Sequence, residues 1–210
     1  MKKKIAFYCS GNASRIFKFY NEHSIVDYPM SFVFYDGENY AIEHKLVETF
    51  GDKVFSFRNN ENLTGVKLSQ KISSKISEKL TELKIDYLFC FGDKILKSPL
   101  LDHYKNRVIN FHPSILPSFP GLKAIDQALE SSVQVLGNTA HFIDKGVDTG
   151  PIIMQSVISR NIYNEYEDVL QLQIPMMQTI WNLLNEDKIS IENNKVFIKA
   201  EKNQNAFYSI

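Results

Sequence analysis

Residues 108 to 121 read VINFHPSILPSFPG and bring an amide, an imidazole and three prolines close together. Asn110 and His112 lie two residues apart at the end of an apolar run, so in a β-strand their side chains project on one side. The segment DKGVDTGP adds a carboxylate, Asp148, after the apolar run TAHFI. An amide, an imidazole and a carboxylate that converge can manage protons and stabilise an oxyanion, which is the chemistry of acyl transfer.

From residue types alone, an Asn and a His at a strand end are structural about as often as they are catalytic. Covalent catalysis is disfavoured because no serine lies in a nucleophile elbow, and because Cys9 and Cys90 occupy apolar runs typical of buried thiols. His103, His112 and His141 lack tight metal-ligand spacing, and no cysteine pair supports them. We therefore expect no metal.

The segment CSGNASR, residues 9 to 15, indicates a turn between the first strand and the first helix. Backbone N–H groups at a helix start favour an anion, and the hydroxyl and guanidinium side chains in this segment add donors. The segment does not match G-x-G-x-x-G, so it gives little support to a dinucleotide site, and a plain strand-to-helix turn is the alternative. The predicted anion-binding residues are Gly11, Asn12, Ala13, Ser14 and Arg15.

Strand-like runs rich in aromatic and β-branched residues occur at KIAFYCS, MSFVFYD, VFSF, YLFCFG, RVINFH, NTAHFI and PIIMQSVIS. Helical segments follow the first three runs, and in the third of these segments Leu68, Ile72, Ile76, Leu80 and Leu83 recur at helical spacing. This alternation predicts an α/β, Rossmann-like fold with a mostly parallel twisted sheet flanked by helices. Ligands of such sheets gather at the carboxyl ends of the strands.

From about residue 130 the pattern changes to strand after strand, then a long helix, EDVLQLQIPMMQTIWNLLNED, and a terminal hairpin, KISIENNKVFIKAE. This change predicts a more antiparallel carboxyl-terminal part. The length suits one hydrophobic core, and no linker or repeat interrupts it. We expect a single domain, 1–210, with a nucleotide-fold half, 1–105, and a catalytic and carboxyl-terminal half, 106–210.

Positive and negative charges balance, with 24 Lys plus Arg against 24 Asp plus Glu. A neutral chain gives no bulk electrostatic reason to expect a nucleic acid or an anionic membrane as partner. No apolar run approaches the roughly 18 to 20 residues of a membrane span. The apolar run in MKKKIAFYCSG is too short for a secretion signal. We expect a cytoplasmic protein that acts on small molecules.

The stretches NFHPSILPSFPGLKAIDQALE and GNTAHFIDKGVDTGPIIMQ resemble the folate-dependent formyltransferases, most closely those that act on glycinamide ribonucleotide. The resemblance implies direct transfer of the formyl group of 10-formyltetrahydrofolate to a primary amine. It implies Asn110, His112 and Asp148 as catalytic residues, with the amide and a protonated imidazole stabilising the oxyanion. Asp148 would keep the imidazole charged and help to remove the amine proton.

The resemblance also implies binding residues. SGNASR is similar to the family's phosphate loop, so the implied substrate-binding residues are 11–15, and Pro113 is also in this set. FGDKILKSP is similar to a segment whose backbone reads the pterin. His141 matches a family histidine, which we interpret as support for the Asp148 loop. The implied cofactor-binding residues are Leu88, Lys94, Ile95, Leu96, Ile143, Asp144 and Val147, with Leu88 and Ile95 as apolar walls.

Two departures from the family concern the amine acceptor. The phosphate loop has Ala13 and Arg15 where the family has Gly and Asn, and Met177 and Gln178 fall where the purine enzymes have an acid and a His. Loss of a carboxylate that binds ribose hydroxyls removes hydrogen bonds worth roughly 1.5 to 3 kcal/mol each. The acceptor is therefore open between phosphoribosylglycinamide and an amino sugar carried on a nucleotide, whose diphosphate Arg15 suits.

Other functions compete with formyl transfer to a small amine. A 10-formyltetrahydrofolate hydrolase is disfavoured because related deformylases carry an amino-terminal regulatory domain that we do not expect here. Formylation of initiator tRNA is disfavoured because the neutral chain lacks a basic carboxyl-terminal domain. A non-catalytic nucleotide-binding module is disfavoured because all three residues of the catalytic trio, Asn110, His112 and Asp148, are present. The oligomeric state is open, although pairing of the terminal strands would allow a homodimer.

Overall fold

The computed structural model describes residues 2–160 and 166–199. Its contacts divide the chain into two compact units, an amino-terminal unit of residues 2–109 and a carboxyl-terminal unit of residues 110–210. The division falls within one strand, four residues after the boundary that the sequence predicted between the two halves. The expectation of a single domain stays a prediction.

The amino-terminal unit alternates strands and helices. In chain order it contains β1 (Ile5–Cys9), α1 (Ser14–Glu22), β2 (Met30–Tyr35), α2 (Tyr40–Phe50), a 3-10 turn (Gly51–Lys53), β3 (Val54–Ser56), α3 (Gly65–Glu82), β4 (Tyr87–Phe91), α4 (Leu100–His103) and the start of β5 (Val108–His112). β1 pairs in parallel with β2 and β4, and β2 pairs in parallel with β3. The strand order is β3-β2-β1-β4-β5.

The packing of this unit follows the sequence pattern. Every residue of β1 is buried, as expected for a central parallel strand covered by helices. Ile72, Ile76 and Leu80 are buried on α3, as their spacing predicted, and small serines share that face. The buried Ser73 hydroxyl donates to Ser69 O at 2.7 Å and accepts from Lys97 N–H at 2.8 Å, so its polar group is satisfied.

The carboxyl-terminal unit has a different pattern. After the end of β5 it contains α5 (Ala124–Glu130), β6 (Val135–Phe142), β7 (Ile152–Ser159), α6 (Tyr166–Gln171), α7 (Gln173–Asn185), β8 (Ile189–Glu192) and β9 (Lys195–Ile198). The strand order continues β5-β6-β7, with β6 and β7 antiparallel, and β8 and β9 form a separate hairpin. The predicted α/β fold, mostly parallel with a more antiparallel carboxyl-terminal part, is confirmed.

The long helix predicted after residue 166 is wrong as a continuous element, because α6 and α7 are separated at Leu172. A continuous helix would require Pro175 to donate a backbone hydrogen bond to Gln171 O, and proline has no N–H. The interruption places Pro175 in the first turn of α7, where the N–H groups have no intrahelical acceptor.

A buried amide network joins these helices to the strand that carries the candidate chemistry. Gln173 has no exposed surface, and its Nε2 donates to Phe111 O at 3.0 Å and to Asn138 Oδ1 at 2.8 Å. Asn138 Nδ2 donates to Val169 O at 2.6 Å. The backbone carbonyl of Phe111, between Asn110 and His112 in the chain, is therefore held in place by a side chain of α7.

Within the described ranges, no helix combines the length and the apolar character that crossing a membrane requires. Cys9 and Cys90 are buried thiols, which confirms that they serve as small core residues. Burial raises the pKa of the Cys9 thiol, so it stays protonated and unreactive.

Gly137 lies where β6 and β7 approach each other closely, and a Cβ atom there would lie 2.0 Å from Ser156 O. Gly137→Ala must push the two strands apart, so we expect it to lower the free energy of unfolding by about 2 to 4 kcal/mol in a denaturant titration. Ser132→Ala, at an exposed position nearby in sequence, should change it by less than about 0.5 kcal/mol. An alanine variant as stable as the parent would contradict the close approach.

Candidate active site

The structure brings Asn110, His112 and Asp148 together in the carboxyl-terminal unit. Asn110 and His112 end β5, and Asp148 lies in the loop between β6 and β7. His112 Nδ1 is 3.3 Å from Asp148 Oδ2, and the two side chains are 5% and 13% exposed. The imidazole and the carboxylate therefore form a largely buried pair, and Asn110 reaches the same cluster through His141.

His112 is bounded by acceptors at both ring nitrogens. Its Nε2 lies 2.9 Å from Phe119 O, and its Nδ1 faces the carboxylate of Asp148. A carbonyl oxygen and a carboxylate only accept hydrogen bonds, so each nitrogen needs a proton to satisfy its partner. When His112 is protonated, both ring nitrogens can therefore donate to these oxygens.

His141, which the sequence indicated only as loop support, contacts both of the other side chains. Its Nε2 lies 3.4 Å from Asp148 Oδ1 and 3.3 Å from Asn110 Nδ2. Its Nδ1 lies 3.0 Å from Phe142 O. Asp148 is therefore held between two imidazoles, one on each carboxylate oxygen.

The charge of Asp148 is stabilised by its donors in spite of its burial. Burial alone would raise the pKa of this carboxyl, but the hydrogen bond from His141, the Gly121 N–H at 2.7 Å and the two imidazoles lower the pKa below its usual value. The carboxylate is therefore ionised at neutral pH and available as a counter-ion for His112.

Two backbone features give Asp148 its position. Asp148 has a positive φ of 53°, a conformation that Asp and Asn tolerate better than most residues. Gly150 follows, and a Cβ atom there would lie 1.8 Å from Phe142 O, the carbonyl that holds His141. The sequence DTG thus fits a turn that must pass close to the end of β6.

Side chains that the sequence did not single out fix the proline-rich segment after His112. Thr139 Oγ1 donates to Ser114 O at 2.7 Å and accepts from Leu116 N–H at 2.9 Å. Gln155 Nε2 donates to Leu116 O at 2.9 Å. The segment is therefore attached to β6 and β7, and prolines alone do not determine its path.

Thr139 and Gln155 have the pattern of ordinary strand residues, so the sequence carried no local signal that they bind this segment.

The predicted anion-binding turn lies in the amino-terminal unit. Gly11 and Ala13 have positive φ values of 56° and 52°, which produce the tight entry into α1. Asn12 Oδ1 accepts from Ser14 N–H at 3.1 Å, so an anion would compete with this side chain for that donor. The Arg15 guanidinium lies 5.1 Å from the centre of the Phe91 ring, in a cation–π contact.

A cleft of about 360 Å³ adjoins Gly11 in the same unit. Its wall includes Asp36, at the end of β2, whose carboxylate accepts hydrogen bonds from Ser10 Oγ and from Tyr8 OH at 2.9 Å. Burial is the main cause that raises the pKa of Asp36, and the nearby Asp93 adds to it. This carboxylate was not among the predicted site residues, although an acid at the end of a second parallel strand is a known position for binding sugar hydroxyls.

The residues assigned to the cofactor differ in exposure. Leu88 is fully buried and Leu96 nearly so, whereas Ile95 and Val147 are 53% and 52% exposed. Of the two predicted apolar walls, Leu88 and Ile95, only Ile95 has exposed surface that a ligand could contact.

The polar residues assigned to the cofactor already have partners within the protein. Asp144 accepts from Gly146 N–H and Thr149 Oγ1 and so orders its own loop. Lys94 pairs with Asp93 at 2.7 Å, and Ile143 is half-buried. Cofactor binding by this set stays a prediction.

Two further expectations concern metals and the acceptor. Residues 2–160 and 166–199 contain no group of three or more His, Cys, Asp or Glu side chains arranged to hold a metal ion. Met177 is fully buried in α7, so its side chain faces the core, and Gln178 is half-buried. The alignment of Met177 and Gln178 with the acid and the His of the purine enzymes therefore does not identify a residue that would contact a sugar.

Comparison with known proteins places the chain in a family. A family model described as formyl transferase matches residues 3–172, which include β1 to α6. The chain is 41% identical over 85 residues to the phosphoribosylglycinamide formyltransferase of Bacillus subtilis (strain 168), covering 40% of this chain and 41% of that protein. It is 34% identical over 163 residues to the formyltetrahydrofolate deformylase of Haemophilus influenzae, covering 73% of this chain and 55% of that protein. The chain thus spans about half the length of these curated relatives.

Solved structures give the same result. Glycinamide ribonucleotide transformylase 1 from Symbiobacterium toebii superposes with a TM-score of 0.80 at 26% identity, covering 93% of each chain. A formyltetrahydrofolate deformylase from Pseudomonas syringae shares the fold with a TM-score of 0.75 at 20% identity, covering 94% of this chain and 66% of that one. The chain therefore belongs to the formyl transferase family.

Proposed function

We propose that this protein transfers the formyl group of 10-formyltetrahydrofolate to the primary amine of a small phosphorylated metabolite, with phosphoribosylglycinamide as the first candidate acceptor. The observation that carries the proposal is the Asp148 carboxylate between two imidazoles, with His112 bounded by acceptors on both nitrogens. Membership of the formyl transferase family supports the reaction class, and the relative from Bacillus subtilis supports the acceptor.

10-Formyltetrahydrofolate supplies the formyl group, which leaves a nitrogen of the cofactor and joins the acceptor nitrogen. The cofactor carries a flat heterocycle, which favours apolar walls with a few polar groups. Val147, in the carboxyl-terminal unit that holds the trio, is a large apolar side chain that is half exposed and lies within a segment assigned to the cofactor. This exposure fits a ligand that covers it.

His112 and Asn110 have the groups that an oxyanion requires. When the amine attacks, negative charge develops on the formyl oxygen, and an N–H donor already in place stabilises it by about 3 kcal/mol. An Nε2–H of His112 donates to Phe119 O at 2.9 Å in this structure. To accept this hydrogen bond, the formyl oxygen must displace Phe119 O or share the Nε2–H with it. The segment after β5, which carries Phe119, must therefore move when the substrate binds.

Asp148 has two roles in this scheme. Its negative charge, on an oxygen 3.3 Å from Nδ1, lies where it stabilises a protonated His112. It also accepts the proton that the attacking amine must lose, directly or through one water molecule, and this proton ends on the cofactor nitrogen that releases the formyl group. Bond formation to the acceptor and bond cleavage at the cofactor thus balance with one proton transferred.

Hydrolysis of 10-formyltetrahydrofolate is the second candidate, with water in the place of the amine. The alignment with the Haemophilus influenzae deformylase favours it, because that alignment covers 73% of this chain against 40% for the Bacillus subtilis relative. The same oxyanion donors would serve either reaction. Only the nucleophile distinguishes the two functions.

We expect release of tetrahydrofolate when the protein is incubated with 10-formyltetrahydrofolate and phosphoribosylglycinamide, followed spectrophotometrically, and little formate in the absence of an amine. An amino-sugar nucleotide in parallel tests the other acceptor, and a characterised transformylase serves as positive control. Formate release without amine would replace transfer by hydrolysis. No turnover with water or with either amine would contradict an enzymatic role and favour a binding module.

Single substitutions in the trio should reduce turnover without unfolding the protein. We expect Asn110→Ala, His112→Gln and Asp148→Asn each to lower kcat by about 100-fold or more, the typical effect of losing an oxyanion donor or a general base. Asp126→Asn, at an exposed position on α5, is the matched control and should retain kcat within about twofold. Full activity of the His112 variant would overturn the assigned mechanism.

The lowered pKa of Asp148 also predicts a pH-dependent contribution to stability. A carboxyl whose folded pKa lies below its usual value near 3.8 stabilises the fold above that value and ceases to do so as the pH falls through the folded pKa. Asp148→Asn, which tolerates the positive φ, should cost about 1 to 2 kcal/mol at pH 7 in a denaturant titration. This difference should shrink below about pH 4; a constant difference down to pH 2 would contradict it.

A further inference from the structure

The amino-terminal unit contains a cleft that no step of the proposed mechanism uses. Its volume is about 360 Å³, which is within the usual range of small-ligand pockets. Gly11 lies on its wall, where a Cβ atom would have no neighbour within 4 Å. The other lining residues come from the ends of β1 to β4 and from α3. The cleft is therefore at the carboxyl ends of the parallel strands, where such sheets bind ligands.

The half-buried Asp36, directly after β2, presents a carboxylate on the wall of this cleft. Its Oδ2 accepts from Tyr8 OH at 2.9 Å, and its Oδ1 accepts from Ser10 Oγ. Tyr8 has no exposed surface, and a Cβ atom at Gly92 would lie 2.0 Å from its ring, so the ring depends on a glycine there. The carboxylate is therefore held in one orientation from β1 and the residue that follows it.

The carboxylate of Asp36 can accept further hydrogen bonds. A carboxylate offers about four acceptor positions, and Tyr8 and Ser10 occupy two of them. Burial is the main cause that raises the pKa of Asp36, and the two hydroxyl donors do not cancel this rise. Hydroxyl donors from a ligand would therefore stabilise the charged form of Asp36 further.

The place of Asp36 in the sheet indicates which hydroxyl donors fit. The strands of this unit have the order β3-β2-β1-β4-β5, which is the order found in sheets that bind nucleotides. In such sheets an acidic residue at the end of the second strand accepts from the hydroxyl groups of a ribose. Two neighbouring hydroxyl groups can donate to one carboxylate, so the diol of a ribose matches Asp36.

Apolar side chains line the same cleft. Phe57, directly after β3, is half-buried, and its ring stacks on Phe34 with the ring centres 6.4 Å apart. Its N–H donates to Tyr35 O at 2.8 Å, which fixes the start of this segment to β2. Leu68 and Ile72 of α3 add aliphatic surface. Walls of this kind, with a few oriented polar groups, are typical of sites for flat heterocycles.

The charges of the cleft favour a ligand part that is neutral and carries hydroxyl groups. Three acidic and two basic side chains line it. Arg58 pairs with Glu43 and donates to Gly37 O at 2.9 Å. Lys94 pairs with Asp93 at 2.7 Å. Both cations therefore already have partners, and an anion within the cleft would face an excess of acidic groups.

We propose that this cleft binds the nucleoside part of a ligand, with the 2′ and 3′ hydroxyls of the ribose donating to Asp36 and the base packed against Phe57. The nucleoside is either free or part of a nucleotide, and the groups that recognise it are the same. The cleft lies in the amino-terminal unit and the trio in the carboxyl-terminal unit. The inference thus goes beyond the proposed formyl transfer and does not rest on it.

Isothermal titration calorimetry of the whole chain tests the recognition of the diol. We expect at least one of adenosine, guanosine, uridine and cytidine to bind with a Kd below about 1 mM. Its 2′,3′-dideoxy form should bind about 10-fold more weakly or worse, because charge-assisted hydrogen bonds to Asp36 are lost. In Asp36→Ala the two forms should bind within about twofold of each other. Asp36→Asn, which keeps the size of the side chain, should give an intermediate difference, and the exposed Asp27→Asn should retain that of the parent.

The same titrations test the contact with the base. Methyl β-D-ribofuranoside carries the diol without a base, and we expect it to bind about 10-fold more weakly than the nucleoside or worse. Phe57→Leu should weaken binding of the nucleoside about fivefold or more, since stacking on the ring is lost, and should leave binding of the riboside within about twofold.

Titration with the 5′-monophosphate of the same base distinguishes the two sources of the nucleoside. Tighter binding of the monophosphate identifies a nucleotide as the ligand, and weaker binding identifies a free nucleoside. The inference is overturned if no ribonucleoside binds, if the dideoxy form binds as well as the ribonucleoside, or if neither Asp36 variant reduces the difference between them. A riboside that binds as tightly as the nucleoside would also overturn it. Whether the protein transfers formyl groups is decided separately, by release of tetrahydrofolate.

Discussion

The candidate site depends on one buried carboxylate and its donors. Asp148 faces an imidazole on each oxygen and also accepts the Gly121 N–H. These donors come from three separate segments, namely the end of β5, the end of β6 and the proline-rich segment after β5. Burying a carboxylate without such partners would cost several kcal/mol, so the ion and its donors require each other. The carboxylate therefore fixes the relative positions of the segments in the carboxyl-terminal unit that carry the chemistry.

The surrounding structure keeps these donors in place through polar groups in its interior. Gln173 on α7 bonds the carbonyl of Phe111, and Thr139 on β6 bonds the backbone of the proline-rich segment at Ser114 and Leu116. Each of these bonds is worth only about 1 kcal/mol net, but a lost partner leaves a buried polar group unsatisfied at a cost of about 1 to 3 kcal/mol. Such networks oppose small displacements, which matters because a displacement of about 1 Å can cost a reaction a factor of roughly 100.

Sequence reasoning reached the elements that have strong local signals. The spacing of Ile72, Ile76 and Leu80 predicted α3, and the apolar runs predicted the strands, because one buried face imposes its period on the sequence. The spacing of Asn110 and His112 only suggested the trio, and its catalytic role was implied by the family resemblance. The break before α7 was missed because the apolar pattern continues through Pro175. The contact of His141 with Asn110 was not predicted, because the two residues are 31 positions apart in the chain.

The residues predicted to bind the acceptor's phosphate lie in a different part of the molecule, the amino-terminal unit. The family match ends at residue 172, before most of α7, and the fully buried Met177 cannot meet a sugar. In the amino-terminal unit, the cleft beside Gly11 contains Asp36, Glu38 and Asp93, with Arg58 and Lys94 on the same wall. Both cations already have acidic partners, Glu43 for Arg58 and Asp93 for Lys94. A phosphate bound at the predicted Gly11 turn would therefore depend on backbone N–H groups and on Arg15 and not on these two cations.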